Sequence, residues 1–410
     1  MSAAGYLFPG AGAEQRRLLA RFPALVDRVF PLPGRFLAAL PRDVAELSRL
    51  LTSGRGDRHD GYLGRPELLS AYLRYFLPWN LYRLYRLLPA LPLNLADGDL
   101  VVDLGSGPLT LVLALWLFRP GLRDRSLEFR CIDRTGAVLD AGKRLFAALA
   151  GSDSPWRIKT IRASLGAPVK GPRAALVSAV NVFNETWRSI PEANAGALRL
   201  GAEKNARLLS SLAAESGSIL VVEPGVPRSG EFIAALRAAL IECGYPPRLP
   251  CPHAGPCPLP GGRSPATRPS GAKGKWCHFG FDTGDAPPEL LKLSAAAGIP
   301  KDRAVLSFLF AGPGGIPLPE GGETPSLAVR IISDAFPLTG DGRSGRGRPG
   351  DRSGRYGCSV RGLVLAAGDR AALAALSPGT LLRIAPPARE KRDPKSGALM
   401  AELPPDRGPY

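Results

Sequence analysis

The feature that most restricts the fold of this 410-residue chain is an alternation of short apolar segments with helical segments, which begins near residue 99. Each apolar segment is short enough for a buried strand, and the stretch after it repeats its apolar residues about every 3.6 positions. The predicted strands cover 100–104, 127–133, 157–162, 174–180 and 218–223, with closing strands at 276–282 and 305–311. Strands joined by helical crossovers pair in parallel. The sequence therefore predicts an α/β fold with a doubly wound sheet.

Further regions flank this predicted sheet. The N-terminal part has the apolar period of helices, and its many tyrosines and arginines either stack on RNA bases or, as we favour, pack on the next domain. The C-terminal part has short strands with turns and a charged, proline-rich end. The expected units are a helical N-terminal region (1–95), the sheet domain (96–318) with a cysteine-rich insertion (245–280), a small β region (319–385) with a flexible Gly/Arg-rich loop (339–357), and a poorly ordered tail (386–410).

A strand-to-helix turn with the sequence Asp103-Leu-Gly-Ser-Gly-Pro108 is typical of a nucleotide-type cofactor site. Glycines let the backbone approach a ligand closely, and the helix N-terminus presents free N–H groups. Asp133 ends the next strand, where a carboxylate can hold both ribose hydroxyls of S-adenosylmethionine (AdoMet). The lysine of a phosphate-binding loop is missing, which favours AdoMet over ATP. We therefore predict a class I AdoMet methyltransferase-type sheet, with cofactor-binding residues Asp103, Gly105, Ser106, Gly107 and Asp133.

Leu109 departs from this pattern, because class I methyltransferases usually carry a third glycine at this position. Its side chain is expected either to crowd the methionine part of the cofactor or to pack inward. The loop after the fourth strand offers two weak catalytic candidates, Asn181 and Glu185. This loop lacks the proline-containing motif of amino-group methyltransferases, so the catalytic residues stay unknown at this point.

The cysteines are placed as in a metal centre. Cys251 and Cys257 belong to a proline-rich loop, and Cys277 opens a predicted strand. Proline stiffens such a loop, and its missing N–H needs no partner. The paired Cys-x-x-Cys knuckles of zinc modules are missing. The spacing leaves open an iron–sulfur site with a distant fourth thiol, a zinc site that uses His253 or His278, or no metal.

The charge of the chain indicates its kind of partner. Lys and Arg outnumber Asp and Glu by 53 to 36, which gives a net charge of +17. Such an excess favours a polyanion, because each phosphate that a cation neutralises releases a counterion. We therefore expect nucleic acid or ribosome binding. The longest apolar run, 109–118, is about half of a bilayer span. We accordingly expect no membrane segment, and a cytoplasmic monomer.

Three motifs in one order carry a family resemblance: Asp-x-Gly-Ser-Gly-Pro at 103–108, Cys-Pro-His-x-x-x-Cys-Pro-Leu at 251–259 and Trp-Cys-His-Phe at 276–279. From about residue 55 to 365, the chain resembles the methyltransferase-like proteins of the mitochondrial small ribosomal subunit and their bacterial relatives. This resemblance implies a 4Fe–4S cluster whose fourth ligand comes from the C-terminal β region. The ligands that it implies here are Cys251, Cys257, Cys277 and Cys358.

Some features differ from the family pattern. Residues 260–275 look like an insertion between the second and third ligands, and the Gly/Arg-rich loop replaces a Lys/Arg segment before the last ligand. The remaining cysteines, Cys131 in the middle of a strand and Cys243 at a helix end, are expected to be buried and not to bind metal.

Taken together, the resemblance and the charge predict an AdoMet-dependent methyltransferase-like protein that acts on the small ribosomal subunit or its rRNA and carries a 4Fe–4S cluster. The alternative is a non-catalytic assembly or translation factor with a degenerate methyltransferase fold. Leu109 and the missing catalytic motif favour this alternative, whereas the intact Asp103 and Asp133 favour the enzyme. A zinc-stabilised RNA-binding module is a third interpretation.

Overall fold

The computed structural model describes residues 5–10, 12–52, 61–187, 194–259, 275–314, 326–338, 352–387 and 389–403. These residues form two β sheets and a set of helices. The α-helices are α1 (Ala13–Val29), α2 (Gly34–Leu51), α3 (Pro66–Ala71), α4 (Leu77–Leu87), α5 (Thr110–Phe118), α6 (Gly136–Ala150), α7 (Ala195–Leu212), α8 (Pro227–Glu242), α9 (Pro288–Ala296) and α10 (Arg370–Ala374). The strands are β1 (Leu100–Leu104), β2 (Glu128–Asp133), β3 (Arg157–Arg162), β4 (Ala174–Val180), β5 (Ala213–Pro224), β6 (Pro247–Leu249), β7 (Phe279–Asp282), β8 (Arg303–Ala311), β9 (Leu327–Ile331), β10 (Phe336–Pro337), β11 (Arg352–Ser359), β12 (Gly362–Asp369), β13 (Leu381–Ile384) and β14 (Leu399–Glu402).

The larger sheet has the strand order β3-β2-β1-β4-β5-β8-β6, and β7 also pairs with β8. Strands β1 to β5 run parallel, whereas β8 is antiparallel to β5, β6 and β7. The central strand β1 is buried along its whole length, as expected when helices cover both faces of a parallel sheet. This is the sheet of class I methyltransferases, so the predicted fold class is confirmed. Its order reverses between β1 and β4, the place where open α/β sheets bind ligands at the carboxyl ends of their strands.

Apolar cores lie on both faces of this sheet. Along β1, Val101 belongs to the core beneath the N-terminal helices, α5 and α6, whereas Val102 belongs to the core beneath α7 and α8. Successive side chains of a strand point to opposite faces, which explains this division. A further apolar cluster fills the smaller sheet. Among the described residues, no helix combines the length and the apolar character needed to cross a membrane.

The N-terminal region is helical, and one of its helices lies against the sheet domain. Helix α3 continues through a π-helical turn, Tyr72–Phe76, directly into α4. Pro78 follows this turn and has no N–H for a hydrogen bond to the preceding turn, which accounts for the wider winding there. Trp79 and Tyr82 are at most 1% exposed. These aromatic side chains form core contacts, so the interpretation that they pack on the next domain is confirmed.

The smaller sheet has the order β13-β9-β11-β12-β14, with β10 paired to β11. β11 and β12 form an antiparallel hairpin whose turn lies between Ser359 and Gly362. Gly362 takes φ +103° at the turn, a conformation that side chains rarely adopt. In the predicted Gly/Arg-rich loop, residues 352–357 belong to β11, whereas residues 339–351 lie outside the described part of the chain.

Part of the predicted tail also belongs to this sheet. Strand β14 pairs in parallel with β12, and its Leu399 is fully buried. The expectation of a poorly ordered tail is therefore wrong for this part. The charged composition of this segment gave no indication of a strand. Leu399 and Ala401 belong to the apolar cluster of the smaller sheet, and their burial stabilises the strand despite the charged residues around it.

Candidate cofactor pocket and cysteine cluster

A cavity of about 320 Å³ opens at the carboxyl ends of β1, β2 and β4. Its wall contains Gly105, Asp133, Asn181 and Glu185, so it brings together four residues that the sequence singled out. Asp103, Ser106 and Gly107 are not part of this wall. The remaining lining residues come from the segments after β2, β3 and β4 and from the N-terminal region: Tyr62, Leu63, Leu104, Ile132, Arg134, Thr135, Ala163, Ser164, Leu165, Val182 and Thr186.

Asp133 joins the glycine turn to the end of β2. Its Oδ2 accepts a hydrogen bond from the Gly107 N–H at 3.0 Å, and its Oδ1 accepts one from the Thr135 N–H at 2.8 Å. Burial raises the pKa of Asp133, while these two N–H donors lower it. The Arg134 N–H also bonds to this carboxylate, so one of its roughly four lone-pair sites is left to accept a hydrogen bond from a diol in the cavity.

The glycine turn leaves no room for side chains at its first glycine. A Cβ on Gly105 would lie 2.4 Å from Cγ2 of Val182, and the residue has φ +61°. The turn is supported from below by Asp103, which is 1% exposed. Ser178 Oγ donates to Asp103 Oδ1 at 2.6 Å, and burial raises the pKa of Asp103 to about 7. Asp103 therefore holds the turn in place and does not line the cavity.

Leu109 packs inward and does not enter the cavity. The residue has φ +56° and ψ +41°, the left-handed conformation, and its side chain is fully buried. Its Cγ lies against α6 at Gly142, where an added Cβ would come within 2.5 Å of it. Of the two outcomes expected for Leu109, the structure shows the second, so this leucine does not block the methionine end of a cofactor.

The two weak catalytic candidates lie in the loop that follows β4. Asn181 has φ +58°, and Glu185 forms an ion pair with Arg134 at 3.3 Å. This loop is fixed by a residue that the sequence reasoning missed, Glu223 at the end of β5. Its carboxylate accepts the N–H groups of Val182 (3.1 Å), Phe183 (2.8 Å) and Asn184 (3.2 Å), and the Asn184 side-chain amide at 2.9 Å. The sequence signal that could have identified Glu223 is a glutamate at the end of an apolar strand.

The four cysteines of the predicted cluster lie near one another. Cys251 and Cys257 are in the loop after β6, Cys277 precedes β7, and Cys358 is on β11 of the smaller sheet. Burial raises the pKa of all four thiols, that of Cys257 to about 11. The pKa of Cys358 is raised further by Cys251, Cys257 and Cys277, so these groups lie within electrostatic range of one another.

The comparison with known families bears on this segment. The model of the family described as mitochondrial small ribosomal subunit Rsm22 matches residues 197–284. The match contains Cys251, Cys257 and Cys277 and ends before Cys358. This chain resembles the Rsm22 family. The resemblance predicted from the motifs is confirmed over this segment, about a fifth of the chain. No curated protein sequence matches the chain.

This chain has low structural similarity to several solved methyltransferases. An S-adenosylmethionine-dependent methyltransferase from Clostridium acetobutylicum is 12% identical, with TM-score 0.22, over 31% of this chain and 43% of its own. A putative methyltransferase from Thermoplasma acidophilum is 12% identical, with TM-score 0.28, over 57% and 75%. One from Thiobacillus denitrificans, in complex with S-adenosyl-L-homocysteine, is 14% identical, with TM-score 0.28, over 53% and 86%. This chain thus spans less than half of the first structure. These scores are low, so the fold is assigned from the strand order.

Two buried arginines lie beside the cysteines of the Rsm22-like region. Arg237 Nε donates to Cys251 Sγ at 3.2 Å, and its Nη2 donates to the carbonyls of His253 (2.8 Å) and Gly255 (2.7 Å). Arg330 Nε donates to the Pro250 carbonyl at 3.0 Å. Both arginines are 4% exposed, and both are bonded to neutral groups or thiols, with no ion pair to any Asp or Glu among the described residues.

Two observations on the cysteine cluster differ. The mutual pKa effects show that the four thiols are neighbours, whereas no three His, Cys, Asp or Glu side chains within the described ranges are arranged to hold a metal ion. The structure thus shows neighbouring thiols without the geometry of a metal site. Cys131 is buried as expected, whereas Cys243 is only partly buried, so that expectation is wrong for Cys243. The insertion-like residues 260–274 lie outside the described chain.

Proposed function

We propose that this methyltransferase-like protein binds AdoMet, acts on the small ribosomal subunit or its rRNA, and carries a 4Fe–4S cluster on Cys251, Cys257, Cys277 and Cys358. The class I sheet and the Rsm22 match support the general assignment. The ribosomal partner is supported by the family description and by the net charge of +17. AdoMet would supply the methyl group, and the cluster would tie the smaller sheet to the larger one.

The cofactor proposal follows from the residues of the cavity. The Asp133 carboxylate lines the cavity at the end of β2 and would hold the ribose diol of AdoMet. Gly105 keeps the turn close to Val182, where no side chain would fit. Arg134, Thr135, Asn181 and Glu185 line the same cavity and would contact the rest of the cofactor or its substrate.

One observation carries the metal proposal: the charge of Arg237 and Arg330. A buried guanidinium is costly without a negative partner, and the acidic groups beside these two are cysteine thiols, which become negative only as thiolates. Four thiolates around an oxidised 4Fe–4S core have a net charge of about −2, which balances the two arginines. Four thiolates on Zn²⁺ have the same net charge, so charge alone does not distinguish the metals. The absence of Cys-x-x-Cys knuckles and the resemblance to the Rsm22 family favour iron–sulfur.

A second candidate function is AdoMet binding without methyl transfer, in a small-subunit assembly factor. It is favoured by the state of two carboxylates, Glu185 in the cavity wall and the buried Glu223 beneath the loop after β4. Glu185 is paired with Arg134, and Glu223 accepts four hydrogen bonds from the loop after β4. A general base needs a lone pair directed at the substrate proton, and both groups are engaged elsewhere.

The deciding experiment is anaerobic purification of the full chain, with assays of iron, sulfide and zinc and an absorption spectrum. We expect about four irons per chain and a brown chromophore, which Cys358→Ser should abolish. Cys131→Ser and Cys243→Ser are the matched controls and should keep full iron content. A chain with stoichiometric zinc and no iron would refute the cluster.

Calorimetry with AdoMet tests the cofactor separately. Asp133→Ala should weaken binding by about 1–3 kcal/mol, the usual scale for lost hydrogen bonds to a charged group. If the wild type shows no binding at millimolar AdoMet, the pocket does not hold this cofactor.

A further inference from the structure

A tyrosine of the N-terminal region reaches the glycine turn. Tyr72 is the first residue of the π-helical turn between α3 and α4. A Cβ placed on Gly107 would lie 3.9 Å from the Tyr72 hydroxyl oxygen. The hydroxyl therefore lies close to the glycine turn, at the residue whose N–H donates to the Asp133 carboxylate. Single π-helical turns occur frequently at functional sites, because they shift one side chain out of the regular helix register.

Positive groups lie behind this hydroxyl. Asn80 lies beside it and lowers its pKa, and so does the charge of Arg83. Arg83 Nη1 donates to Asn80 Oδ1 at 2.9 Å, and its Nε donates to the Val305 carbonyl at 3.1 Å. Both acceptors are neutral, and no ion pair joins Arg83 to an Asp or Glu within the described residues. Burial lowers the pKa of Arg83 to about 10, which leaves it positively charged at neutral pH with no anion beside it.

Negative groups lie on the other side. Asp133 and Glu185 face the cavity, and both raise the pKa of Tyr72. The hydroxyl thus stays protonated at neutral pH and can donate a hydrogen bond. A ligand that spans this part of the site meets carboxylates at one end and a hydroxyl backed by a guanidinium at the other. The amino-acid tail of AdoMet has matching groups, an ammonium and a carboxylate.

We propose that Tyr72, with Arg83 behind it, binds the α-carboxylate of the amino-acid tail of AdoMet. This inference rests on the proposed AdoMet binding. With the ribose on Asp133 at the end of β2, the tail would lie toward the glycine turn after β1, which Tyr72 approaches at Gly107. The ammonium of the tail is attracted to Glu185, and the carboxylate is repelled by it. Tyr72 and Arg83 offer the carboxylate a hydrogen bond and a positive charge, and thereby fix the orientation of the tail and of the methyl group.

The test compares AdoMet with decarboxylated AdoMet, which lacks only the α-carboxylate, by calorimetry on the full chain. In the wild type AdoMet should bind more tightly. Tyr72→Phe should weaken AdoMet about 10-fold to 100-fold, the effect of losing one hydrogen bond to a charged group, and should change decarboxylated AdoMet less than about twofold. Arg83→Gln should act in the same direction. Tyr75→Phe is the matched control, because it lies on the same turn but its hydroxyl faces the Ile299 carbonyl at 3.5 Å.

The outcomes separate this inference from the proposed function. If the wild type binds AdoMet and Tyr72→Phe weakens both ligands equally, or neither, the carboxylate contact is refuted while AdoMet binding stands. If the wild type binds both ligands with the same affinity, no group of this site recognises the carboxylate, and the inference fails. If the wild type binds neither ligand, the proposed AdoMet binding is refuted, and this inference, which rests on it, is refuted as well.

Discussion

The contact between the glycine turn and α6 gives the sharpest prediction, which concerns Gly142→Ala. A Cβ at position 142 would lie 2.5 Å from Leu109 Cγ, 2.5 Å from the Pro108 carbonyl carbon and 2.7 Å from its oxygen. Leu109 can change rotamer, but the Pro108 backbone can move only with the turn itself. Overpacking of this kind costs about 1–3 kcal/mol, whereas Gly→Ala inside a helix gains about 1 kcal/mol. We expect a net loss of up to about 2 kcal/mol, together with weaker AdoMet binding because Gly105 moves with the turn.

Gly201→Ala in the middle of α7 is the matched control. Nothing lies within 4 Å of a Cβ at that position, so only the helix propensity acts, and stability should rise by about 1 kcal/mol. Both variants should be unfolded in urea alongside the wild type, and the midpoints of the first transition compared. If Gly142→Ala is as stable as Gly201→Ala, the turn is not packed against α6 as described, and the reasoning is refuted.

Three further predictions test other parts of the site. Burial raises the pKa of Asp103 to about 7 from an ordinary 3.8, so between these values the folded state keeps a proton that the unfolded state loses. The free energy of unfolding should therefore fall as pH rises from about 4 to about 7. Urea midpoints measured across this range should show that fall, and Asp103→Asn should flatten it. Burial raises the pKa of Glu223 to about 7, and its carboxyl group accepts four hydrogen bonds. Glu223→Gln replaces one acceptor oxygen by an amide that donates and should weaken AdoMet binding by about 1–3 kcal/mol in calorimetry, whereas an unchanged affinity would show that the loop after β4 keeps its conformation without Glu223. The affinity for rRNA fragments should fall linearly with the logarithm of salt concentration, and deletion of residues 340–351 should reduce the slope; an affinity indifferent to salt would contradict the polyanion argument.

The larger sheet could be predicted because its strands are buried on both faces. The segment 100–104 is entirely apolar except for Asp103, and a short apolar run followed by a glycine turn and a helix has few other structures available. The position of Asp133 followed from the same pattern, since parallel strands end at the same edge. The ligand candidates among the cysteines were recognised from proline-rich context and resemblance, and the structure brings all four near one another.

Other parts of the site depend on contacts that a linear pattern does not contain. In the sequence, Glu223 is only the polar end of a predicted strand. Its position under the loop after β4 becomes visible only in the folded structure. In the sequence, Tyr72 looks like one of several aromatic residues of an amphipathic helix. The π-helical turn that brings it to Gly107 has no characteristic sequence pattern, so it could not be predicted. Strand β14 was missed because a short strand inside a charged segment is stabilised by its partner β12, far away in sequence.

The domain limits expected from the sequence separate residues 1–95 from the sheet domain, yet the described contacts join them. Trp79 Nε1 donates to Ser294 Oγ at 3.2 Å, and the Tyr82 hydroxyl donates to the Asp282 carbonyl at 2.8 Å. The N-terminal helices share one apolar core with α5, α6 and β8. Tyr62 and Leu63 supply part of the cavity wall, and Tyr72 closes the glycine turn. Removal of the N-terminal region would thus expose one face of the sheet and open the pocket. A fragment limited to the sheet domain would lack part of the site, so its failure to bind AdoMet would not bear on the intact chain.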